Sequence, residues 1–245
     1  MSQLVFLKPK GGLGNQLFQL AAALTFKGNL FIFPTAANKH SGRDYRALFG
    51  GYATNTHMFT EYTYFQQDGF EAFDPKQFPY NSITLDGYFQ NYPSIKSSVP
   101  IIKSLFTQNS AYEEYAFLHV RRGDYLQYSH IHYILPQSYY ESALSQLKHE
   151  KILVFSDDPM WCAQQPWLSK YTIVNEPDEL SALLMMASCK KGAIIANSTF
   201  SWWGAVLSGC DKVFYPEQWI SGANPELFPE GWTKVSGSDA AKVSP

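Results

Sequence analysis

Short apolar runs alternate with helical patterns along most of this 245-residue chain, and this alternation is the feature that most limits its fold. Strands are predicted at Leu4–Leu7, Leu30–Phe33, Ile83–Leu85, Tyr115–Val120, Ile152–Phe155, Thr172–Val174, Ala193–Ala196 and Val213–Tyr215. Helices are predicted between them at Asn15–Phe26, Ser138–Leu147, Pro159–Trp167, Asp178–Ala187 and Ser201–Leu207. Continuous apolar strands separated by helices indicate parallel sheets covered on both faces, so an α/β fold is expected.

The regularity of this alternation changes along the chain. It is regular from Tyr115 onward and poor between Arg43 and Asn81, where Gly, Thr, Gln and aromatic residues dominate. We therefore predict an N-terminal domain of residues 1–108, a C-terminal domain of residues 109–235 and a flexible tail of residues 236–245, which is small and polar.

Composition narrows the class of protein. The net charge of −2 excludes a generally basic nucleic-acid-binding protein but allows a local basic pocket. Aromatic residues make up 16% of the chain, which indicates either a heavy core or surfaces that stack on sugars. The three cysteines are widely spaced, as in a cytosolic protein with reduced thiols. The first apolar run ends at Lys8-Pro9-Lys10, so we expect a soluble, cytoplasmic protein without a signal peptide or transmembrane segment.

The glycine-rich turn Gly11–Gln16 (GGLGNQ) follows one predicted strand and leads into one predicted helix. Such a turn lets the backbone approach a phosphate or a sugar and directs helix N–H groups at it. A dinucleotide-binding motif is disfavoured because Leu17 stands where the third glycine belongs and no acidic residue ends the second strand. A tight turn with a purely structural role is the alternative.

The segment His119–Tyr125 (HVRRGDY) lies at the end of a predicted strand, where open α/β sheets bind their ligands. Arg121 and Arg122 suit a pyrophosphate because guanidinium groups match phosphate oxygens bidentately. We expect one of these arginines to pair with Asp124 and the other to bind phosphate.

Two carboxylates, Asp157 and Asp158, follow the next predicted strand. They could recognise a base, chelate a metal or cap the next helix, and Pro159 fits the first helical position. We expect one to cap and the other to read a base. A metal would need further ligands, and His130-x-His132 has no third member, so no metal site is predicted.

The fourth motif is Ala196–Gly204 (ANSTFSWWG), which again combines a predicted strand, a turn and a predicted helix. Hydroxyl residues at a helix start offer donors to an anion, and N-capping accounts for only one of Ser198, Thr199 and Ser201. The two tryptophans that follow are expected in the core or in a pocket wall. Taken together, the four motifs indicate a pocket for a nucleoside diphosphate without an evident metal.

These motifs also resemble a known family. The matching segments are GGLGNQLFQ (Gly11–Gln19), DGYFQN (Asp86–Asn91), HVRRGDY (His119–Tyr125), VFSDDPMW (Val154–Trp161) and ANSTFSWWGAVL (Ala196–Leu207). In this order they resemble the α-1,2-fucosyltransferases of glycosyltransferase family 11. The resemblance implies a GT-B-like fold of two facing Rossmann-like domains, with the donor nucleotide in the cleft. The chain is short for this family, so we expect its N-terminal, acceptor-side domain to be reduced.

The resemblance also implies roles for particular residues. Arg121 corresponds to the arginine that holds the β-phosphate of the donor, His119 lies beside the nucleoside, and Asp157 or Asp158 reads guanine. The implied donor-binding residues are Gly12, Gly14, Asn15, Gln16, His119, Arg121, Arg122, Asp157, Asp158, Asn197, Ser198, Thr199, Phe200 and Ser201.

The implied reaction is inverting transfer of L-fucose from GDP-β-L-fucose to a hydroxyl of a glycan or glycoside, as an α-1,2 linkage, without a metal or another cofactor. The catalytic candidates are Arg121, Asp124 as the base and His130 behind it, although Asp124 could instead orient an arginine. Two alternatives stay open: an inactive GDP-sugar-binding or carbohydrate-binding protein on the same scaffold, and a transferase with another donor sugar or linkage. The aromatic tract from Tyr45 to Tyr92 either packs a core or stacks on the acceptor.

Overall fold

The structure is a computed structural model that describes residues 3–33, 45, 48–49, 63–67, 70–129, 132–220 and 225–237. The chain divides into two compact units. The first is Met1–Phe106 with Pro225–Phe228, and the second is Thr107–Asn224 with Pro229–Pro245. Each unit has one parallel sheet with helices around it, so the predicted α/β class is confirmed.

In its described residues, the first unit has a sheet of four strands in the order β2-β1-β4-β3. Its elements are β1 (Leu4–Leu7), α1 (Leu13–Thr25), β2 (Asn29–Ile32), β3 (Thr63–Gln67), β4 (Ser82–Gly87), α2 (Tyr92–Ile95) and α3 (Val99–Ser104). Strand β1 pairs in parallel with β2 on one side and with β4 on the other, so that Leu7 lies opposite both Ile32 and Leu85. Strand β2 follows β1 and α1 and lies on one side of β1, whereas the next two strands, β3 and β4, lie on the other side. The topological switch point therefore lies at the carboxyl ends of β1 and β4.

The described part of the second unit has a sheet of six parallel strands in the order β10-β9-β8-β5-β6-β7. Its elements are β5 (Ala116–Val120), α4 (Gln137–Leu147), β6 (Ile152–Ser156), α5 (Pro159–Ala163), β7 (Thr172–Ile173), α6 (Glu179–Ser188), β8 (Ala193–Ile194), α7 (Thr199–Ser208), β9 (Val213–Pro216) and β10 (Thr233–Val235). The chain moves from β5 outward to β6 and β7, then crosses to β8 on the other side of β5. Here the switch point lies between the carboxyl ends of β5 and β8.

The core of the second unit explains much of the aromatic content. Trp202 and Trp203 of α7 are fully buried and pack edge to face with ring centroids 5.0 Å apart, which confirms a core position for this pair. Tyr139 and Tyr140 of α4 are buried in the same way. None of the helices in the described residues is both long and apolar enough to cross a membrane.

All eight predicted strands are present, and the helix bounds differ where local chemistry decides them. Helix α1 begins at Leu13 rather than Asn15 because Gly12, in extended backbone, serves as its N-cap. Helix α5 ends at Ala163 instead of continuing to Trp167, since Pro166 begins a separate 3-10 turn and forces the preceding residue out of the helical region. Strands β3 and β10 and the short helices α2 and α3 were not predicted. The predicted flexible tail lies mostly outside the described residues.

Candidate active site

Three of the sequence motifs meet at the carboxyl edge of the second sheet. The turn after β5 begins at Arg121, the turn after β6 contains Asp157 and Asp158, and the turn after β8 contains Asn197 and Ser198. Strand β5 pairs with both β6 and β8, so the three turns are neighbours. This edge includes the switch point, which is where open α/β sheets bind ligands.

Arg121 is the central charge of this edge. Its Nη2 donates to Asp124 Oδ1 at 2.6 Å, and its Nη1 lies 3.0 Å from Asp157 Oδ2. Burial lowers the pKa of Arg121, but Asp157 and Asp124 outweigh it and raise the pKa above its ordinary value. Arg121 therefore stays cationic at every working pH. The family resemblance assigns Arg121 to the phosphate, and one of the two arginines is expected to pair with Asp124. In the structure, the arginine that pairs with Asp124 is Arg121 itself.

Arg122 has a different environment from its neighbour. Its guanidinium carbon lies 3.8 Å from the centroid of the Trp161 ring, within the range of a cation–π contact. Its Nε lies 3.6 Å from Asp158 Oδ2. The indole thus holds the Arg122 side chain beside the start of α5.

The two carboxylates after β6 divide their tasks. Asp158 is the N-cap of α5, because its Oδ1 accepts from the Trp161 N–H at 3.0 Å and Pro159 occupies the first turn. This confirms that one of the pair caps the helix. Asp157 instead contacts the turn after β5, where its Oδ1 accepts from the backbone N–H of Arg122 at 2.9 Å.

His119 lies in β5, one residue before the strand ends, and is buried. Burial, together with the Arg121 charge, lowers the pKa of His119 to about 3, so its imidazole is neutral. Its ring centroid is 5.8 Å from that of Phe200 in the first turn of α7. The Nδ1 atom is buried and has no hydrogen-bond partner among the described residues. A neutral, buried imidazole with an open ring nitrogen can hydrogen-bond an uncharged polar group of a ligand.

The turn after β8 places the hydroxyl residues at the start of α7. Ser198 is the N-cap and accepts from the Phe200 N–H at 3.4 Å, as expected for one member of this set. Ser201 is fully buried, and its hydroxyl lies within hydrogen-bond distance of the carbonyl oxygens of Ala196 and Ser198. Its donor is therefore directed at backbone. Thr199 begins α7, whose backbone N–H groups lie at this edge.

Asn197 is fixed from two directions. Its Nδ2 donates to the carbonyl oxygens of Tyr133 at 2.8 Å and Trp219 at 3.1 Å. Its Oδ1 is buried, and no other described residue gives it a hydrogen-bond partner. The amide orientation follows from the two donated bonds, so the open acceptor belongs to the carbonyl oxygen.

Tyr125 is a site residue that the sequence analysis missed. Its hydroxyl donates to the carbonyl oxygen of Asn197 at 2.9 Å, which joins the turn after β5 to the turn after β8. Its ring stacks on His132 at 4.1 Å between centroids, and the Arg121 guanidinium carbon lies 5.1 Å from the same ring. The signal was present, since Tyr125 closes the HVRRGDY motif.

The glycine-rich turn lies at the switch point of the first unit. Gly11 has φ +79°, which favours glycine, and its carbonyl accepts from Gln16 Nε2 at 2.9 Å. Asn15 Oδ1 accepts from Gln90 Nε2 at 3.0 Å, which connects the turn with the segment after β4. Gly12 and Gly14 lie at the start of α1. A structural role for this turn is therefore visible, and binding by its residues stays a prediction.

Of the catalytic candidates, Arg121 and Asp124 are paired with each other, whereas His130 lies outside the described residues. In the described part of the chain, no group of three or more His, Cys, Asp and Glu side chains is placed to hold a metal ion. The binding candidates of the second unit therefore surround one edge of one sheet, and those of the first unit occupy the corresponding edge of the other.

Comparisons with known proteins agree with this architecture. Residues 37–220, more than half of the chain, match the family described as Glycosyl transferase family 11. The O-antigen biosynthesis glycosyltransferase WbnK of Escherichia coli is 39% identical over 134 residues, which cover 48% of this chain and 43% of WbnK. An alpha-1,2-colitosyltransferase of Escherichia coli is 31% identical over 138 residues, which cover 48% of this chain and 46% of that protein. The matched stretch thus spans less than half the length of these curated relatives.

Among solved structures, a mutant of Arabidopsis thaliana FUT1 in complex with GDP aligns with a TM-score of 0.53 at 12% identity. The alignment covers 88% of this chain and 70% of that one. A likeness at such low identity concerns the fold alone, and it confirms the predicted GT-B-like class.

Proposed function

Because the chain belongs to glycosyltransferase family 11, we propose that it transfers L-fucose from GDP-β-L-fucose to a sugar hydroxyl with inversion, forming an α-1,2 linkage. The single observation that supports this most is the Arg121 guanidinium at the switch point of the second sheet, in a turn that the Tyr125 hydroxyl joins to the turn before α7. A fixed cation at the same sheet edge as the N–H groups of a helix start is suited to the diphosphate of a nucleotide sugar.

Unsatisfied polar atoms support a ligand at this edge. Within the described ranges of the chain, buried side-chain atoms without a hydrogen-bond partner include His119 Nδ1, Arg121 Nε and Asn197 Oδ1. All three belong to the turns or strand ends of β5 and β8. Since buried polar atoms are rarely left without partners, a group of them around one switch point favours a polar ligand that completes their bonds. We assign GDP to this position.

In the proposed reaction, the acceptor hydroxyl attacks the anomeric carbon of fucose from the face opposite the diphosphate. The bond from that carbon to the β-phosphate oxygen breaks, and its electron pair leaves with GDP. Arg121 and the first N–H groups of α7 stabilise the charge that develops on the departing diphosphate. The acceptor proton passes to Asp124, whose side chain is 41% exposed and therefore within reach of solvent and substrate.

A second donor is favoured by one comparison. The alpha-1,2-colitosyltransferase is 31% identical to this chain over 138 residues. Colitose is L-fucose without the 3-hydroxyl, so both donors would present the same anomeric carbon. Comparing GDP-fucose with its 3-deoxy analogue as donors separates the two activities, because the better donor has the higher kcat/KM.

The proposed function is tested by GDP release from GDP-fucose in the presence of galactosides, with excess EDTA. Wild-type protein is expected to release GDP at full rate without a metal, and Arg121→Ala is expected to abolish release. Lys191→Ala is a matched control, because it removes a cation that pairs with Glu114 outside the site.

Two outcomes would contradict the proposal. If Arg121→Ala kept a tenth of the wild-type turnover, Arg121 would contribute only about 1.4 kcal/mol and would not be the main phosphate group. If wild-type protein bound GDP but released none from GDP-fucose with any acceptor, the chain would be a nucleotide-sugar-binding protein instead.

A further inference from the structure

We infer that Asp157 is a positioning residue, which fixes the Arg121 guanidinium against the diphosphate of the donor and does not read the guanine base. The inference rests on the proposed function, since it concerns the same donor site. Of the two carboxylates after β6, Asp158 thus caps α5 and Asp157 positions Arg121.

Both oxygens of Asp157 already have partners in the turn after β5. Oδ1 accepts from the Arg122 backbone N–H at 2.9 Å, and Oδ2 faces Arg121 Nη1 at 3.0 Å. A carboxylate reads guanine by presenting both oxygens to two neighbouring N–H groups of the base. Asp157 would have to give up its partners to do this.

The backbone of the turn is shaped around this carboxylate. A Cβ added to Gly123 would overlap Asp157 Oδ2 and crowd its carboxyl carbon. Only glycine at this position therefore lets the Asp157 side chain lie against the turn. The close approach connects β6 with the turn after β5 at one defined place.

Arg121 is held on its other sides as well. Asp124 Oδ1 binds Nη2 at 2.6 Å, and the Tyr125 ring lies 5.1 Å from the guanidinium carbon. Asp157 and Asp124 thus engage two of the five N–H donors, one on each terminal nitrogen. The remaining donors include Nε–H, which is buried and has no partner in the part of the chain that the structure describes. Two carboxylates, one on each terminal nitrogen, fix the plane of the guanidinium and leave donors for phosphate oxygens.

Removing one carboxylate would leave the guanidinium held from one side. Asp157→Asn keeps an oxygen that can accept from the Arg122 N–H, but its amide nitrogen would then face Arg121 Nη1, donor against donor. The guanidinium is then free to turn toward Asp124. In this variant the diphosphate of the donor loses an oriented Arg121 guanidinium, whereas the guanine base of the donor keeps its contacts with the protein.

The test is titration calorimetry with GDP, IDP and guanosine on wild-type protein and on Asp157→Asn. GDP and IDP differ only in the 2-amino group of the base, so their affinity ratio reports guanine reading. We expect Asp157→Asn to weaken GDP and IDP equally, by about 10- to 100-fold, the range for a hydrogen bond to a charged group. Guanosine affinity should stay unchanged, and kcat should fall together with donor affinity.

Two further variants complete the experiment. Gly123→Ala keeps Asp157 but displaces its carboxylate, so it should weaken GDP in the same way even if Asp157→Asn fails to fold. Asp178→Asn is the matched control, because it makes the same substitution at the N-cap of α6 and should leave GDP binding unchanged.

The outcomes separate the inference from the proposed function. A GDP to IDP ratio that collapses in Asp157→Asn, with guanosine binding lost, would overturn the positioning role and leave the transferase intact. Unchanged GDP affinity in both Asp157→Asn and Gly123→Ala would also overturn it. Wild-type protein that binds no GDP would overturn the proposed function and this inference together.

Discussion

The hydroxyl of Tyr125 is expected to stabilise the second unit by joining two strand-end turns. It donates at 2.9 Å to the carbonyl oxygen of Asn197, a residue that is only 3% exposed. Tyr125→Phe removes the hydroxyl and leaves that carbonyl without its partner. The ring stays, so its contacts with His132 and Arg121 stay as well.

The expected loss of stability in Tyr125→Phe follows from the hydrogen bond that is removed. Orphaning a buried carbonyl costs about 1–2 kcal/mol, which lowers the Tm of a unit of this size by about 2–8 °C. Burial raises the pKa of Tyr125 to about 12, so the hydroxyl keeps its proton across the usual working range. The decrease in Tm should therefore be the same from about pH 6 to pH 9.

The tryptophans provide an assay for this unit alone. All six of them, at positions 161, 167, 202, 203, 219 and 232, belong to the second unit. Thermal unfolding followed by tryptophan fluorescence therefore reports the unit that contains Tyr125. Tyr80→Phe, at a 48% exposed position in the first unit, is the control and should not change this transition. A Tyr125→Phe transition that coincides with that of the wild type would refute the reasoning.

Three further outcomes are expected. In the unfolded chain His119 is protonated below about pH 6.5, whereas in the folded chain its pKa is lowered to about 3 and it is protonated only below that pH. Stability should therefore fall by up to ~1.4 kcal/mol per pH unit as pH drops through this window, and His119→Asn should flatten that slope in urea titrations. Parallel slopes would contradict the buried neutral imidazole. Gly87→Ala should destabilise the first unit by about 1–3 kcal/mol, because the added Cβ overlaps the Gln67 carbonyl oxygen, and native protection from hydrogen exchange in β3 and β4 would speak against this. Trp161→Leu should cost about 0.5–1 kcal/mol by removing the ring next to Arg122, and unaltered urea midpoints would disprove it.

Much of the fold could be predicted from the sequence because buried parallel strands are continuous apolar runs. Strands such as β5 and β6 have buried residues at nearly every position, and the sequence shows this directly. Strand β10 (Thr233–Val235) is short, contains Lys234 and lies at a sheet edge, so no apolar run marks it. Strand β3 contains two glutamines and lies in the tract where the alternation is poor. Pairing with β4 outweighs its composition.

The candidate site shows a similar division. Its position could be predicted, since the motifs lie at strand ends and strand ends of a parallel sheet share an edge. The partners of the charges could be predicted only in part, because pairing of one arginine with Asp124 and capping by one carboxylate were expected, but not which arginine or which carboxylate. That Asp157 contacts the turn after β5, whereas Asp158 caps α5, depends on how two adjacent side chains point after one strand. The pairing of Arg121 with Asp124 depends on the turn that brings residues three apart together.

The most direct test of the central claim is proton NMR of the reaction itself, with GDP-β-L-fucose, a galactoside acceptor and excess EDTA. The proposed chemistry predicts one new α-anomeric fucosyl signal on the 2-hydroxyl of the acceptor, formed together with an equal amount of GDP. Arg121→Ala should give neither. A β-linked product, a strict requirement for Mn²⁺, or fucosyl transfer that persists in Arg121→Ala would contradict the account of an inverting, metal-independent transferase that depends on Arg121.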